Sequence, residues 1–185
     1  YSVHAVFGFI TDFGKSGWFL WPIAVTLVVL CLVTTPRLGR VGELVAAAFA
    51  VRLTFVFVAI GAPGLFAAII KNMIGRARPF VGGAANPFLY HPFDWKPAYA
   101  SFPSGHSTTA VAAAVAIGAV WPASRPYIWV YAIVIMASRV IITAHHPSDV
   151  IGGAAVGAIG AILACKWFAA RRLHRHQGRS RGPGL

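Results

Sequence analysis

The residues best able to do chemistry lie in one stretch, Ser138-Arg139-Val140-Ile141-Ile142-Thr143-Ala144-His145-His146-Pro147-Ser148-Asp149. An apolar run delivers an arginine, a histidine follows, a carboxylate stands four residues after that histidine, and a second apolar run begins at once. Unpaired ionisable groups at membrane level cost several kcal/mol, so such a cluster is a functional site by default. The chemistry it fits is attack on phosphorus. His145 needs one neutral ring nitrogen to act as nucleophile. Asp149 can hold the other nitrogen as N–H, fixing the tautomer and stabilising the positive ring that results.

Two other stretches supply what that reaction lacks. Lys71-Asn72-Met73-Ile74-Gly75-Arg76-Ala77-Arg78-Pro79 closes a long apolar run, placing cations at a helix C-terminus where the dipole favours them. Pro103-Ser104-Gly105-His106 opens the next run. Ser104 is a good N-cap, Gly105 allows close approach, and the free backbone N–H groups of a first helical turn form an anion site. Lys71, Arg78 and Arg139 can then clamp a phosphoryl group, the arginines through bidentate forks, and stabilise the oxygens of a five-coordinate phosphorus. His106 can protonate the departing oxygen and later draw a proton from the water that cleaves the phosphohistidine.

Rival readings of these residues are weaker. His146 could attack on chemistry alone, but the four-residue spacing to Asp149 selects His145. His91, His106, His145 and His146 could be imagined around a metal. However, Asp12, Glu43, Asp94 and Asp149 are the only acidic residues, and a cluster of cations repels a divalent ion, so neither metal nor cofactor is expected. Arg76, between the motif positions, reads as a surface cation rather than a ligand.

The elements that must hold these groups are membrane helices. Of 185 residues 58% are hydrophobic, mean hydropathy is +0.71, and several runs approach the roughly 20 residues that cross a bilayer core. The net charge of +12 invites a nucleic-acid reading, but the cations sit at the ends of apolar runs and not on a polar face, which excludes one. Cys31 and Cys165 both fall inside apolar runs and read as small membrane-buried thiols, not a disulfide.

Spanning helices are predicted over 18–34, 41–74, 104–120, 127–143 and 149–168, giving an all-α polytopic bundle of five spans in a single domain, 1–185. Residues 1–16 read as an interfacial segment or the end of a further helix. The run 41–74 exceeds one bilayer thickness and is read as one helix kinked at Pro63. Arg52 within it reads as snorkelling or paired inside the bundle. The long connection 75–103, rich in aromatics, suits a membrane-surface segment beside the site. Gly153, Gly157 and Gly160 are spaced for close helix contact, and 171–185 is a basic tail. Arg37, Arg40, Arg125, Lys166 and the tail share one side, which the positive-inside rule makes cytoplasmic. Lys15, Lys71, Arg76, Arg78, Lys96 and Arg139 lie opposite, against the rule, and a bound phosphate explains why.

Lys71 through Arg78-Pro79, then Pro103-Ser104-Gly105-His106, then Ser138-Arg139 with His145 and Asp149, resemble the three signature motifs of the type 2 phosphatidic acid phosphatase superfamily. Each is short and weak alone; the three in order, with matching spacings and a spanning pattern, are specific. The resemblance covers Lys71 to Asp149, under half of the chain. It implies a metal-independent phosphatase in a helical bundle, with His145 as nucleophile, His106 as acid and base, and Lys71, Arg78, Ser104, Gly105 and Arg139 on the phosphate. Members of this layout usually have six spans, so a sixth is expected upstream. The expected substrate is a phosphorylated lipid presented at the extracytoplasmic face of a bacterial inner membrane. Undecaprenyl pyrophosphate, phosphatidylglycerophosphate, phosphatidic acid and lipid A phosphates are the candidates the resemblance implies. The rival class is a non-enzymatic membrane protein that binds or transports phosphate-type anions. A transporter would want inverted repeats and broken helices near the midplane; no internal repeat is seen, and the cations gather at one face. Vanadate-dependent haloperoxidases have a similar anion pocket but are soluble, which the composition opposes.

Overall fold

The computed structural model describes residues 3–33 and 39–180, with side chains described for these residues except Val33 and 172–180. They form six α-helices: α1 Val3–Asp12, α2 Gly17–Val33, α3 Arg40–Ile74, α4 Gly105–Val120, α5 Arg125–Ile141 and α6 Pro147–Ser180. Single 3-10 turns at Pro97–Tyr99 and Pro122–Ser124 precede α4 and α5.

The centre is α4, the helix poorest in large side chains. Its Ser107, Thr108, Thr109, Ala110, Ala112, Ala113, Ala114, Ala116 and Gly118 are buried, and it packs against α3, α5 and α6. Small residues let backbones approach without lost volume, the device by which helices associate where lipid removes the hydrophobic drive. α6 answers in kind. A Cβ added at Gly153 would run into the carbonyl of Ser104, and one at Gly157 into the carbonyl of Thr108. Lower down, Gly160 receives the ring of Pro63 from α3. Phe55, Val56, Ala59 and Ile60 of α3 complete the core with Ala112, Ala113, Ala116 and Ala161.

Val3–Leu32, Arg40–Ile74 and Pro147–Arg171 are long and apolar enough to cross a membrane, and Gly105–Val120 is a shorter apolar helix. Exposed Val28, Leu32, Val45, Leu65, Val130, Ile133, Ile159 and Leu163 give the outer faces an apolar character that lipid must cover. The chain is therefore an all-α, integral membrane helix bundle.

The five expected spans correspond to α2–α6, and α3 runs unbroken through Pro63. Three features add to the sequence reading. Residues 3–12 are a helix of their own, α1, packed on α5. α6 continues past Phe168 to Ser180, so the first part of the basic tail prolongs a helix. The connection after α3 is held by backbone hydrogen bonds. α3 ends at Gly75 in the left-handed region, φ +64, where a side chain would collide with the carbonyl of His91. From there the chain folds back on itself: Ala77 N–H donates to Leu89 (2.9 Å), His91 N–H to Gly75 (2.7 Å), Phe93 N–H to Asn72 (3.0 Å), Arg78 N–H to Ala98 (2.9 Å) and Ser101 N–H to Arg76 (3.0 Å). Arg37 and the side chains of the tail beyond Arg171 lie outside the described residues.

Candidate active site

A backbone bond joins two of the three motif stretches before any side chain does. Ser104 N–H donates to the carbonyl of Asp149 at 2.9 Å, fixing the start of α4 against the start of α6. Ala144 and His145 N–H both donate to the carbonyl of Arg139, at 3.1 and 3.3 Å, curling the α5–α6 turn so that His145 returns over Arg139. Lys71 closes the ring: a Cβ added at Gly105 would lie 3.1 Å from its Nζ, so the ammonium rests on the bare backbone that glycine leaves. Lys71, Arg78, Ser104, Gly105, His106, Arg139, His145 and Asp149 thus gather at one end of the bundle.

Charge is dense here and mostly of one sign. Arg139 interacts electrostatically with Lys71, Arg78, His106 and His145. Among the described residues, the buried Nε atoms of Arg78 and Arg139 have no hydrogen-bond partner. Buried donors without partners are costly, and an anion is the group that would accept from both. Arg139 is held from the side, its Nη1 donating to Thr11 Oγ1 of α1 at 2.7 Å. Burial pushes the Arg78 guanidinium below its ordinary value, and Asp149 opposes that shift.

Ser104 occupies the N-cap position of α4, as expected, but its hydroxyl does not cap. It instead accepts from Ser107 Oγ at 3.1 Å, while its carbonyl takes the Thr108 N–H at 3.0 Å.

The histidine and carboxylate are arranged less simply than their spacing implies. His145 Nδ1 faces Asp149 Oδ2 at 3.7 Å, too far for a hydrogen bond. Ser101 stands between them, its hydroxyl donating to Oδ2 at 2.6 Å and lying 3.4 Å from Nδ1. Oδ2 also accepts the His146 N–H at 2.9 Å, and Oδ1 takes Arg76 Nη1 at 2.5 Å. Burial pushes the His145 imidazole below its ordinary value; Asp149 opposes this, and the nearby Arg139 and Arg78 reinforce it.

This corrects the reading of Arg76. It is not a surface cation: it is 7% exposed, pairs with a wholly buried carboxylate, and also donates to Ser148 Oγ (2.8 Å) and the Pro87 carbonyl (2.9 Å). Ser101 and Thr11 were not singled out by sequence at all. The only sequence sign for Ser101 is its place three residues before Ser104; for Thr11 there is none. Arg52 is exposed on α3 far from this cluster, and His91 packs at a tilt against the ring of Tyr99 instead of entering it.

The fold is an integral membrane helix bundle that converges Lys71, Arg78 and Arg139 with a His–Asp pair at one end. The sequence profile of the PAP2 superfamily matches residues 52–173, and the chain belongs to that superfamily. It is 40% identical over 115 residues to lipid A 1-phosphatase of Rhizobium johnstonii, covering 62% of this chain and 47% of the relative. It is 36% identical over 98 residues to decaprenylphosphoryl-5-phosphoribose phosphatase of Mycobacterium tuberculosis, covering 52% and 51%. A putative undecaprenyl-diphosphatase of Escherichia coli is 35% identical over 96 residues, covering 50% and 45%. The chain spans about half the length of the curated relatives it matches. The fold is that of a transmembrane PAP2 type phosphatidylglycerolphosphate phosphatase from Bacillus subtilis, with TM-score 0.60, 22% identity, and 89% of this chain and 76% of that one covered.

Proposed function

We propose that this chain is a phosphatase of lipid phosphates or lipid pyrophosphates, working through a phosphohistidine and without a metal. The observation that carries the reading is the orientation of His145: Nδ1 is turned to Ser101 and Asp149, which leaves Nε2 as the nitrogen able to attack among Lys71, Arg78 and Arg139. The Nε2 lone pair forms the N–P bond as the P–O bond to the lipid breaks, and His106 gives its proton to the departing oxygen. Water then attacks phosphorus, His106 takes its proton, and phosphate leaves with His145 restored. Lys71, Arg78, Arg139 and the backbone N–H groups after Ser104 hold the phosphoryl oxygens throughout. That concentration of positive charge takes the place a divalent ion would fill and repels one.

A lipid substrate is supported by the bundle itself and by the names of the relatives, which act on lipid A, a decaprenyl-linked phosphoribose and undecaprenyl diphosphate. The location proposed is a bacterial inner membrane with the site at the periplasmic face, since Lys71, Arg78 and Arg139 oppose the positive-inside rule unless an anion accounts for them. The test is phosphate release in detergent from lipid A, phosphatidic acid, phosphatidylglycerophosphate and undecaprenyl pyrophosphate. Release from at least one, lost in His145→Ala, is expected; no release from any, with phosphate binding intact, would return the chain to the anion-binding class.

A further inference from the structure

We propose that Ser101 is a positioning residue of this site: its hydroxyl carries the hydrogen bond from His145 Nδ1 to Asp149, while Arg76 holds the carboxylate that receives it. The inference rests on the phosphohistidine reading above, and the geometry argues for it in three steps.

The direct path is closed. Nδ1 and Oδ2 stand 3.7 Å apart, and Asp149 is already engaged by Arg76 on Oδ1 and by the His146 N–H on Oδ2. A carboxylate so held cannot swing toward the ring without releasing a buried partner.

The hydroxyl is oriented by what surrounds it. Ser101 is fully buried and has one proton, which goes to Oδ2 at 2.6 Å. Toward His145, at 3.4 Å, the oxygen therefore presents a lone pair and can only accept, so the ring must bring its own proton on Nδ1. The neutral imidazole is left with its lone pair on Nε2. The contact is long, and catalytic hydrogen bonds of this kind tighten in the Michaelis complex.

The frame is built into the chain. Ser101 N–H donates to the carbonyl of Arg76, whose own guanidinium holds Asp149, so one residue fixes both the relaying serine and the carboxylate that receives its proton. Among the described residues the hydrogen bonds of Ser101 run to His145, Asp149 and Arg76 and not to Lys71, Arg78 or Arg139, which places its effect on the attacking nitrogen and not on binding.

The experiment is a double-mutant cycle on the intact protein in detergent, with the lipid that the panel above identifies, recording kcat, KM and the inhibition constant of orthovanadate. Ser101→Ala is expected to lower kcat roughly 10- to 100-fold, the range seen when hydrogen-bond partners that orient another residue's imidazole are removed. KM and vanadate inhibition should stay within about twofold, which also shows that the pocket is folded. Ser101→Thr, which keeps the hydroxyl, should recover part of the loss. Adding Ser101→Ala to Asp149→Asn should cost little more than Asp149→Asn alone, because both act through one imidazole. An unchanged kcat in Ser101→Ala, a loss carried by KM, or losses that multiply in the double variant would each overturn the assignment. His145→Ala is run beside them: if it still turns over, the phosphohistidine reading fails, whereas an inactive His145→Ala with a fully active Ser101→Ala removes only the relay.

Discussion

The guanidinium of Arg76 and the carboxylate of Asp149, 73 positions apart in the chain, meet at 2.5 Å with both side chains out of solvent. Removing one partner of a buried pair strands the other's charge at a typical cost of about 3–5 kcal/mol. Arg76→Ala should therefore lower the unfolding temperature in detergent strongly, and Arg76→Ala with Asp149→Asn should be less destabilised than Arg76→Ala alone. An unfolding temperature equal to the parent's in Arg76→Ala would contradict a structural role for the pair.

Neighbouring histidines should behave differently. His145→Ala is expected to lose at least ~10³-fold in phosphate release, as expected for removal of a covalent nucleophile. His146→Ala keeps the backbone N–H that binds Asp149 and should retain activity within an order of magnitude. Steady-state rates decide it, and equal losses in the two variants would remove the basis for choosing His145.

The pH profile carries a sign. An attacking imidazole must be neutral, and burial holds that of His145 below the ordinary histidine value of roughly 6.5. As pH falls, neutral His145 persists past the point where a free histidine would protonate. The acidic limb of kcat/KM should therefore lie below about pH 6.5. An acidic limb at or above that value would be inconsistent with this environment.

Chelation and vanadate test what stabilises the transferring group. With Lys71, Arg78 and Arg139 supplying the positive charge, activity should survive millimolar EDTA and fall with orthovanadate, a five-coordinate phosphate mimic. Strict dependence on added Mg²⁺ would point to another mechanism.

The packing of α4 on α6 makes a remote prediction. A side chain at Gly153 must displace the Ser104 carbonyl, and Ser104 is tied to Asp149 through its backbone. Gly153→Leu should cost about 1–3 kcal/mol by overpacking and lower kcat by moving the two motifs apart. Parent-like turnover and unfolding temperature in that variant would show that the contact is compliant.

The clustering of the candidate site was legible because its signals are local: cations beside a helix end, a serine–glycine pair opening a helix, a histidine four residues from a carboxylate. Arg76 and Ser101 were not, because their meaning lies in partners 73 and 48 positions away. In a stretch already rich in cations, Arg76 looked surplus, and nothing in the spacing distinguishes an arginine that faces phosphate from one that faces a carboxylate. The core of spanning helices followed from hydropathy. α1 did not, since a mixed ten-residue segment says nothing of the arginine it will hold until the fold brings Thr11 to Arg139.

The five backbone bonds that lash residues 89–101 to residues 72–78, at and just beyond the end of α3, also constrain how the site can move. A flap swinging clear of Arg78 would have to surrender several of them at once, together with the crossing at Gly75 where no side chain fits. The segment is a clasp. Its amides should resist hydrogen exchange as the bundle does, unlike those of an ordinary surface loop, and any gate for a lipid headgroup must be sought among the helices.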